Sequence, residues 1–438
     1  MEWWVPASFL FGAFVILLII GMPVSFSFWT VNVIGVLVFW GGLRALSQLV
    51  LDTSKSVGSF TLLPIILFIL MGEVMFDSGV ALRMIDAVDK WLGRLPGRLA
   101  LVAVGGGTIF ATMSGSSMAG VALLGSVLAP EMEKRGYKKS ISLGPIMGAG
   151  GLATMIPPSA LGVICGSLGK ISVGGLLMAI IVPGLLLATL YAAYIIVRCT
   201  LRPSDAPAYE LERIPISRKL ELTIKYIIPQ GVIIFLVIGV MFLGIATPSE
   251  AAALGTVGSF ALAVVYGSIS WLMAKTCLIN TVRVTGMVFL MLTGALAFSQ
   301  ILAYTGASAG LLKMALAAPL SPMALLFGMM VILIIMGCFM EPMTIMTVTF
   351  PIYMPIVQAM GWDPIWFGVL VLINMEMAII SPPFGLSLFT MKGVAPPGTT
   401  IGDVYKAAVP FMGLQLLALI LVMIFPSLAL WLPSTMQK

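Results

Sequence analysis

Residues 99–130 read LALVAVGGGTIFATMSGSSMAGVALLGSVLAP, an uncharged run of 32 residues with Ser114-Gly115-Ser116-Ser117 at its midpoint. One helix crosses a hydrocarbon core of about 30 Å with about 20 residues. The run is therefore too long for one comfortable span and too short for two. Basic clusters flank it on both sides, from Arg83 to Arg98 and from Lys134 to Lys139. Basic loops stay on the cytoplasmic side, so the chain enters and returns on the same face as two arms of about 15 residues. A re-entrant helical hairpin with a serine-glycine tip is the expected structure.

The composition extends that reading to the whole chain. Of 438 residues, 60% are hydrophobic and 9% charged, with a mean hydropathy of +1.13, against roughly 25% charged in soluble chains. A soluble globular protein is excluded, and ten or more apolar runs of about 18 residues point to a polytopic α-helical membrane protein. The chain has no histidine, which removes histidine zinc sites, Ser-His-Asp hydrolysis and imidazole proton relays. Cys165, Cys199, Cys277 and Cys338 lie far apart without C-x-x-C spacing and read as buried thiols. The net charge of +6 reads as cytoplasmic loops, because no basic cluster stands in a polar domain that could hold nucleic acid. Met1-Glu2-Trp3-Trp4 lacks a basic leader region and is expected to open a retained first span.

Seventeen of the 23 Lys and Arg precede residue 226, mainly in the two clusters above and a third from Arg198 to Lys225. Between the second and third, residues 142–170 cross outward but are interrupted by Gly148, Gly150, Gly151 and Pro157-Pro158. That pattern predicts two half-helices around an unwound centre. Residues 175–198 return to the third basic loop. Further spans are expected at 226–243, 247–274 and 284–303, with Lys275 and Arg283 in a cytoplasmic connection. A second hairpin over 320–360 has Glu341-Pro342 at its tip, 364–392 breaks at Pro382-Pro383, and 405–431 crosses out. Both termini then fall on the periplasmic side.

The halves repeat. At an offset of 225, Pro130 matches Pro355, Gly136 matches Gly361, Tyr137 matches Trp362 and Pro157-Pro158 match Pro382-Pro383. The expected fold is an all-α polytopic membrane protein of inverted repeats, with two re-entrant helical hairpins and two broken helices, a pattern that belongs to secondary transporters. The expected division is scaffold helices in 1–60, a first transport repeat in 61–170 (hairpin 99–130, broken helix 142–170), scaffold helices in 175–283 with a cytoplasmic loop over 198–225, a second transport repeat in 284–400 (hairpin 320–360, broken helix 364–392) and a C-terminal helix in 405–438.

Helix breaks at membrane depth free carbonyl and N–H groups that protein, water or ligand must satisfy. Unwound carbonyls and hydroxyls suit Na⁺, and half-helix N-termini suit anions. The hydroxyl donors are Ser114, Ser116 and Ser117 at the first tip and Thr344 and Thr347 after the second, joined by backbone around Ala153 to Pro157 and Ser381 to Pro383. Five acids lie in or beside apolar runs, and intramembrane carboxylates are functional candidates. Glu341, at the second tip, reads either as a cation ligand or gate, or as the cap of its helix arm. Glu376 either assists the same site or pairs with a lysine. Glu250, in Thr247-Pro248-Ser249-Glu250, reads as a helix start, and Glu73 and Asp77 as interfacial residues beside a basic loop. Gly166-Ser167-Leu168-Gly169-Lys170-Ile171-Ser172 lacks P-loop order. No ATP is expected, and an ion gradient, Na⁺ before H⁺, is expected to drive transport.

Phe110 to Gly125, Pro130 to Tyr137, Ile156-Pro157-Pro158-Ser159, Thr247 to Ala253, Ser381-Pro382-Pro383-Phe384-Gly385 and Phe425-Pro426 to Trp431-Leu432-Pro433 together resemble the large membrane subunit of the tripartite ATP-independent periplasmic (TRAP) transporters. The resemblance implies a Na⁺-driven elevator importer of organic acids in a bacterial inner membrane. It implies two partners, a small four-helix membrane subunit and a periplasmic substrate-binding protein. By position, the first Na⁺ site uses Ser114, Ser116, Ala153 and Ile156, and the second Glu341, Thr344 and Pro382; substrate contacts are expected at Ser117, Thr154, Pro157, Ser159 and Ser381. Many members carry Asp where this chain has Glu341, one methylene longer. The alternative is a stand-alone ion-coupled organic-anion transporter without a binding protein; an enzyme is not expected, since no two intramembrane acids form a repeat-related pair.

Overall fold

The computed structural model describes residues 2–93, 95–207 and 215–436, apart from the side chains of Ser56, Met113 and Ser114. The candidate ligand Ser114 therefore lies, in its side chain, outside the described residues. The chain begins with α1 (Trp4–Ile19) and α2 (Val24–Phe39), followed by amphipathic α3 (Leu43–Val57), apolar α4 (Leu63–Asp77) and amphipathic α5 (Val80–Trp91).

The run that decides the fold forms α6 (Arg98–Ser114) and α7 (Ser117–Lys134), packed side by side. Gly115 turns the chain at φ +56, a left-handed backbone that glycine adopts without Cβ strain. Ser116 then caps α7, its hydroxyl accepting from the Ala119 N–H at 3.4 Å. The first broken helix is α8 (Lys139–Gly151), a 3₁₀ turn at Leu152–Thr154, and α9 (Ala160–Gly169). Two prolines end the first half, and Ser159 restarts the second by accepting from the Gly162 N–H at 3.1 Å. Next come α10 (Val173–Ala179) and α11 (Ile181–Leu201), one apolar stretch bent at Ile180.

A span over 216–242 comprises α12 (Ile216–Leu222), α13 (Ile228–Ile234) and α14 (Val240–Phe242), joined by π-helical turns. Then α15 (Pro248–Val265) starts in a capping box between Thr247 and Glu250, the helix-start role expected of that acid. The single helix α16 (Trp271–Tyr304) corrects the expected pair of spans 247–274 and 284–303. Residues 275–283 contain neither Gly nor Pro, so nothing breaks the helix there. The chain turns earlier, at Gly267 with φ +65, and Ser270 caps α16. Lys275 and Arg283 sit on exposed faces within it. With 34 residues it is about 51 Å long, more than one hydrocarbon thickness.

After α17 (Ala307–Ala317), the second hairpin is α18 (Pro322–Gly337) and α19 (Pro342–Ala359), and the second broken helix is α20 (Pro364–Ile379) and α21 (Leu386–Val394). The chain closes with α22 (Ile401–Ile424) and α23 (Ser427–Ser434). The described residues contain no strand.

Packing groups these helices differently from the chain order. Helix α4, expected in the first transport repeat, lies along α15, expected as scaffold, and along α16, which runs across the expected boundary at 283/284 and also carries α2 and α3. Helices α10 and α11 instead pack on α6, α8, α9, α20 and α22, with the hairpins and broken helices. Crosswise contacts knit that second body: α7 packs on α21, and α19 on α9. Each hairpin thus supports the distal half of the other repeat's broken helix.

An ion cluster secures the end of α11. Lys138 Nζ lies 2.6 Å from Asp205 Oδ1 and Arg198 Nε 3.0 Å from Oδ2, with the Asp205 side chain only 2% exposed. Burial works to raise this carboxyl, but hydrogen bonds from Lys138 and Arg198 win and hold it below the ordinary carboxylate value. Its stabilisation is present above the unfolded pKa of about 3.9 and is lost as pH falls through the lower folded value. Asp205→Asn therefore lowers the melting temperature at neutral pH, and the gap to wild type closes as pH drops below about 4. A gap that stays constant across a pH series of melting curves contradicts this.

Candidate functional site: a cavity between the two helix bodies

Both hairpin tips are held by close backbone approach. A Cβ on Gly115 would stand 3.3 Å from the Pro158 carbonyl oxygen, and one on Gly337 would stand 2.7 Å from Ala378 Cβ. Each tip is thus wedged against the break of its own repeat's discontinuous helix. At the second tip Thr344 Oγ1 donates to Glu341 Oε1 at 3.1 Å, and Thr347 Oγ1 donates to the Thr344 carbonyl at 2.8 Å.

Between the tips and the neighbouring body lies a cavity of about 550 Å³. Ser116 and Ser117 at the start of α7, Ala160 at the start of α9, and Glu341 just before α19 form one wall. Glu73 and Asp77 on α4 and Asn280 on α16 form the opposite wall. Asn280 Nδ2 donates to Glu73 Oε2 at 3.1 Å, and the Cys277 thiol donates to Asp77 Oδ2 at 3.4 Å.

Of the residues singled out from sequence, the structure brings Ser116, Ser117 and Glu341 to this cavity. Thr344 and Thr347 lie just behind the second tip, each 1% exposed. Ala153, Thr154, Ile156, Pro157, Ser159 and Ser381 are buried, and Pro382 is half-buried, outside the cavity lining. Three hydroxyls among them are engaged by backbone: Thr154 donates to the Gly151 carbonyl at 3.0 Å, Ser159 to Thr154 at 2.9 Å and Ser381 to Met377 at 2.8 Å. These hydroxyls bond within the breaks themselves.

Glu73 and Asp77, expected to be merely interfacial, line the cavity. Their spacing of one helical turn was the available signal, since residues i and i+4 share a face. Glu376 neither reaches the cavity nor meets a lysine. It is fully buried, with Tyr191 Oη and Gln415 Nε2 both donating to Oε1 at 3.0 and 3.2 Å. A Cβ on Gly151 would come within 2.9 Å of its Cγ, so the carboxyl joins α8, α11, α20 and α22.

Paired hairpins and paired broken helices around a cavity, with six helices among the described residues long and apolar enough to cross a membrane, define a polytopic membrane protein with a transporter fold. Solved structures share that fold. The Alcanivorax borkumensis YdaH transporter aligns with TM-score 0.66 at 16% identity, covering 89% of this chain and 90% of its own. MtrF of Neisseria gonorrhoeae, described as illuminating a class of antimetabolite efflux pumps, aligns with TM-score 0.63 at 14% identity over 88% and 85%. Residues 11–428 match the family described as tripartite ATP-independent periplasmic transporter, DctM component, and the chain belongs to that family. Among similar proteins, the C4-dicarboxylate TRAP transporter large permease protein DctM of Pseudomonas aeruginosa is 33% identical over 90% of both chains. The ectoine TRAP transporter large permease protein TeaC of Halomonas elongata is 30% identical over 95% of this chain and 96% of its own. The isethionate TRAP transporter permease protein DctMQ of Oleidesulfovibrio alaskensis is 30% identical over 97% of this chain and 66% of its own.

Proposed function

We propose that this large permease subunit imports a small organic acid across a bacterial inner membrane, coupled to Na⁺ and by an elevator movement. The carrying observation is the cavity, with both hairpin tips on one wall and helices α4 and α16 of the other body facing them. The body containing α6–α11 and α18–α23 moves, and the body built on α4, α15 and α16 stays in place. Na⁺ is co-transported cargo. Its first site uses Ser114, Ser116 and the backbone at Ala153 and Ile156; its second uses Glu341, Thr344 and Pro382. Oxygen donors of this kind suit a hard cation.

Two partners complete the system, a small four-helix membrane subunit and a periplasmic binding protein that delivers substrate. The DctMQ relative, of which this chain covers 66%, supports the first, since its additional length accommodates a fused small subunit. Substrates named for the relatives, a C4-dicarboxylate, ectoine and isethionate, support an organic acid.

Uptake of labelled organic acids into proteoliposomes holding this chain and its small subunit tests the reading. Uptake that requires both an inward Na⁺ gradient and the periplasmic protein supports it. Uptake without the periplasmic protein makes the chain a stand-alone secondary transporter, and uptake indifferent to Na⁺ removes the coupling. Within that assay Ser116→Ala, which removes a hydroxyl and a cap, lowers Na⁺-dependent uptake, whereas Ser116→Thr, which retains both, restores most of it. Equal uptake by the alanine variant at equal abundance sinks the first ion site.

A further inference from the structure

We infer that the transported acid carries a cationic group opposite its carboxylate, as in an ammonium, betaine or amidinium acid, and that Glu73 and Asp77 receive that cation. The inference rests on the proposed reading that the cavity between the two bodies holds substrate.

The cavity is electrically one-sided. Among the described residues three carboxylates line it, Glu73, Asp77 and Glu341, and no lysine or arginine does. None of the three forms an ion pair among the described residues. A Na⁺ ion in the proposed second site offsets Glu341 only. Glu73 and Asp77 then remain, one turn apart on α4, each hydrogen-bonded through a single oxygen, to Asn280 and Cys277 respectively. A dianion enclosed there faces two carboxylates that no ion pair offsets, at reduced dielectric, against the single Na⁺ of the proposed first site at Ser116, which is unfavourable. A cationic group instead finds two acceptors with lone pairs to spare.

The opposite wall supplies what a carboxylate needs. Ser117 is only 7% exposed, it borders the cavity, and its hydroxyl has no hydrogen-bond partner among the described residues. In a residue otherwise this enclosed, a hydroxyl that borders the cavity is free to donate to a ligand there. Ser117 opens the 18-residue α7, and α9 begins beside it at Ala160, so N–H groups of two helix N-termini favour negative charge at that end. The cavity is therefore bipolar, with anion-binding groups on the hairpin wall and cation-binding groups on the α4 wall.

The test uses the purified chain with its small subunit, so that no binding protein sets the selectivity. Succinate and 4-aminobutyrate share a four-carbon chain and differ in one terminal group, a carboxylate in the first and a protonated aminomethyl in the second; ectoine supplies an amidinium acid. Thermal stabilisation in Na⁺ is measured for each at millimolar concentration. The expected result is stabilisation by 4-aminobutyrate or ectoine and none by succinate. In the Glu73→Gln/Asp77→Asn double variant the half-saturating concentration for the zwitterion rises about tenfold, while stabilisation by Na⁺ alone persists and reports an intact fold. Stabilisation by succinate in preference to both zwitterions overturns the inference, as does an unchanged response in the double variant. Absence of any organic stabilisation with a retained Na⁺ response also counts against it. Loss of the Na⁺ response in the wild-type protein strikes instead at the Na⁺-coupled reading beneath.

Discussion

Glu341→Ala lowers Na⁺-dependent uptake by about tenfold or more, with membrane abundance close to wild type. Glu341 sits where the second hairpin reverses, immediately before Pro342, with a carboxylate oxygen accepting from Thr344 Oγ1 at 3.1 Å and the side chain bordering the cavity. Contacts to a charged group are worth about 1.5–3 kcal/mol, and each 1.4 kcal/mol is tenfold in an equilibrium. Removing the only carboxylate of the proposed second ion site therefore reaches that magnitude without any change in the apolar packing of α18 and α19. Glu341 is also the N-cap residue of α19, and a capping role predicts something else. Asparagine is a good N-cap without charge, so Glu341→Asn keeps abundance under either role but restores uptake only if capping was the function. Uptake at wild-type level in the asparagine variant, measured against Na⁺ concentration, removes Glu341 from the ion site.

Gly184→Ala produces the largest loss of folded protein among single methyl additions at the breaks. Helix α11 crosses the first broken helix so closely that a Cβ at 184 would stand 2.4 Å from the Met155 carbonyl oxygen and 3.0 Å from both Met155 C and Ile156 Cγ1. Two of those atoms are backbone, in the segment following the 3₁₀ turn at Leu152–Thr154. Side-chain rotation cannot relieve the clash, so α11 or the unwound segment moves by about 1 Å in a close-packed interior. Overpacking of this kind costs about 1–3 kcal/mol, sometimes more. The melting temperature of the detergent-purified protein falls accordingly, and the displaced carbonyls weaken the Na⁺ response of whatever folds. Gly231→Ala, on α13 with nothing within 4 Å of the added methyl, is the matched control. Equal melting curves for the two variants refute the packing argument.

Much of the molecule was legible because its punctuation is local. Serine-glycine at residues 114–117 and the proline doublets at 157–158 and 382–383 constrain backbone within a few residues of themselves. Glycine permits the positive φ at 115, serine caps the following helix, and proline withholds an N–H. Hairpins and broken helices follow from such rules without knowledge of any neighbour. A misplaced helix boundary arose from the same chain. Lys275 and Arg283 suggested a loop, but charge alone does not end a helix that contains no breaker, and α16 runs through both.

The composition, the unbroken lengths of apolar sequence and the duplicated Gly and Pro positions thus determined the class of the protein and the placement of its hairpins and breaks. Tertiary structure alone decided which helix faces meet. Glu73 and Asp77 became cavity walls because α4 lies on α15 and α16, opposite the tips of α7 and α19. Glu376 became a buried junction because Tyr191, 185 residues earlier, and Gln415, 39 residues later, converge on one of its oxygens. Neither outcome is encoded in local backbone preference. Each depends on the packing of helices distant in sequence, where close approach at glycine and the satisfaction of buried polar groups select the arrangement.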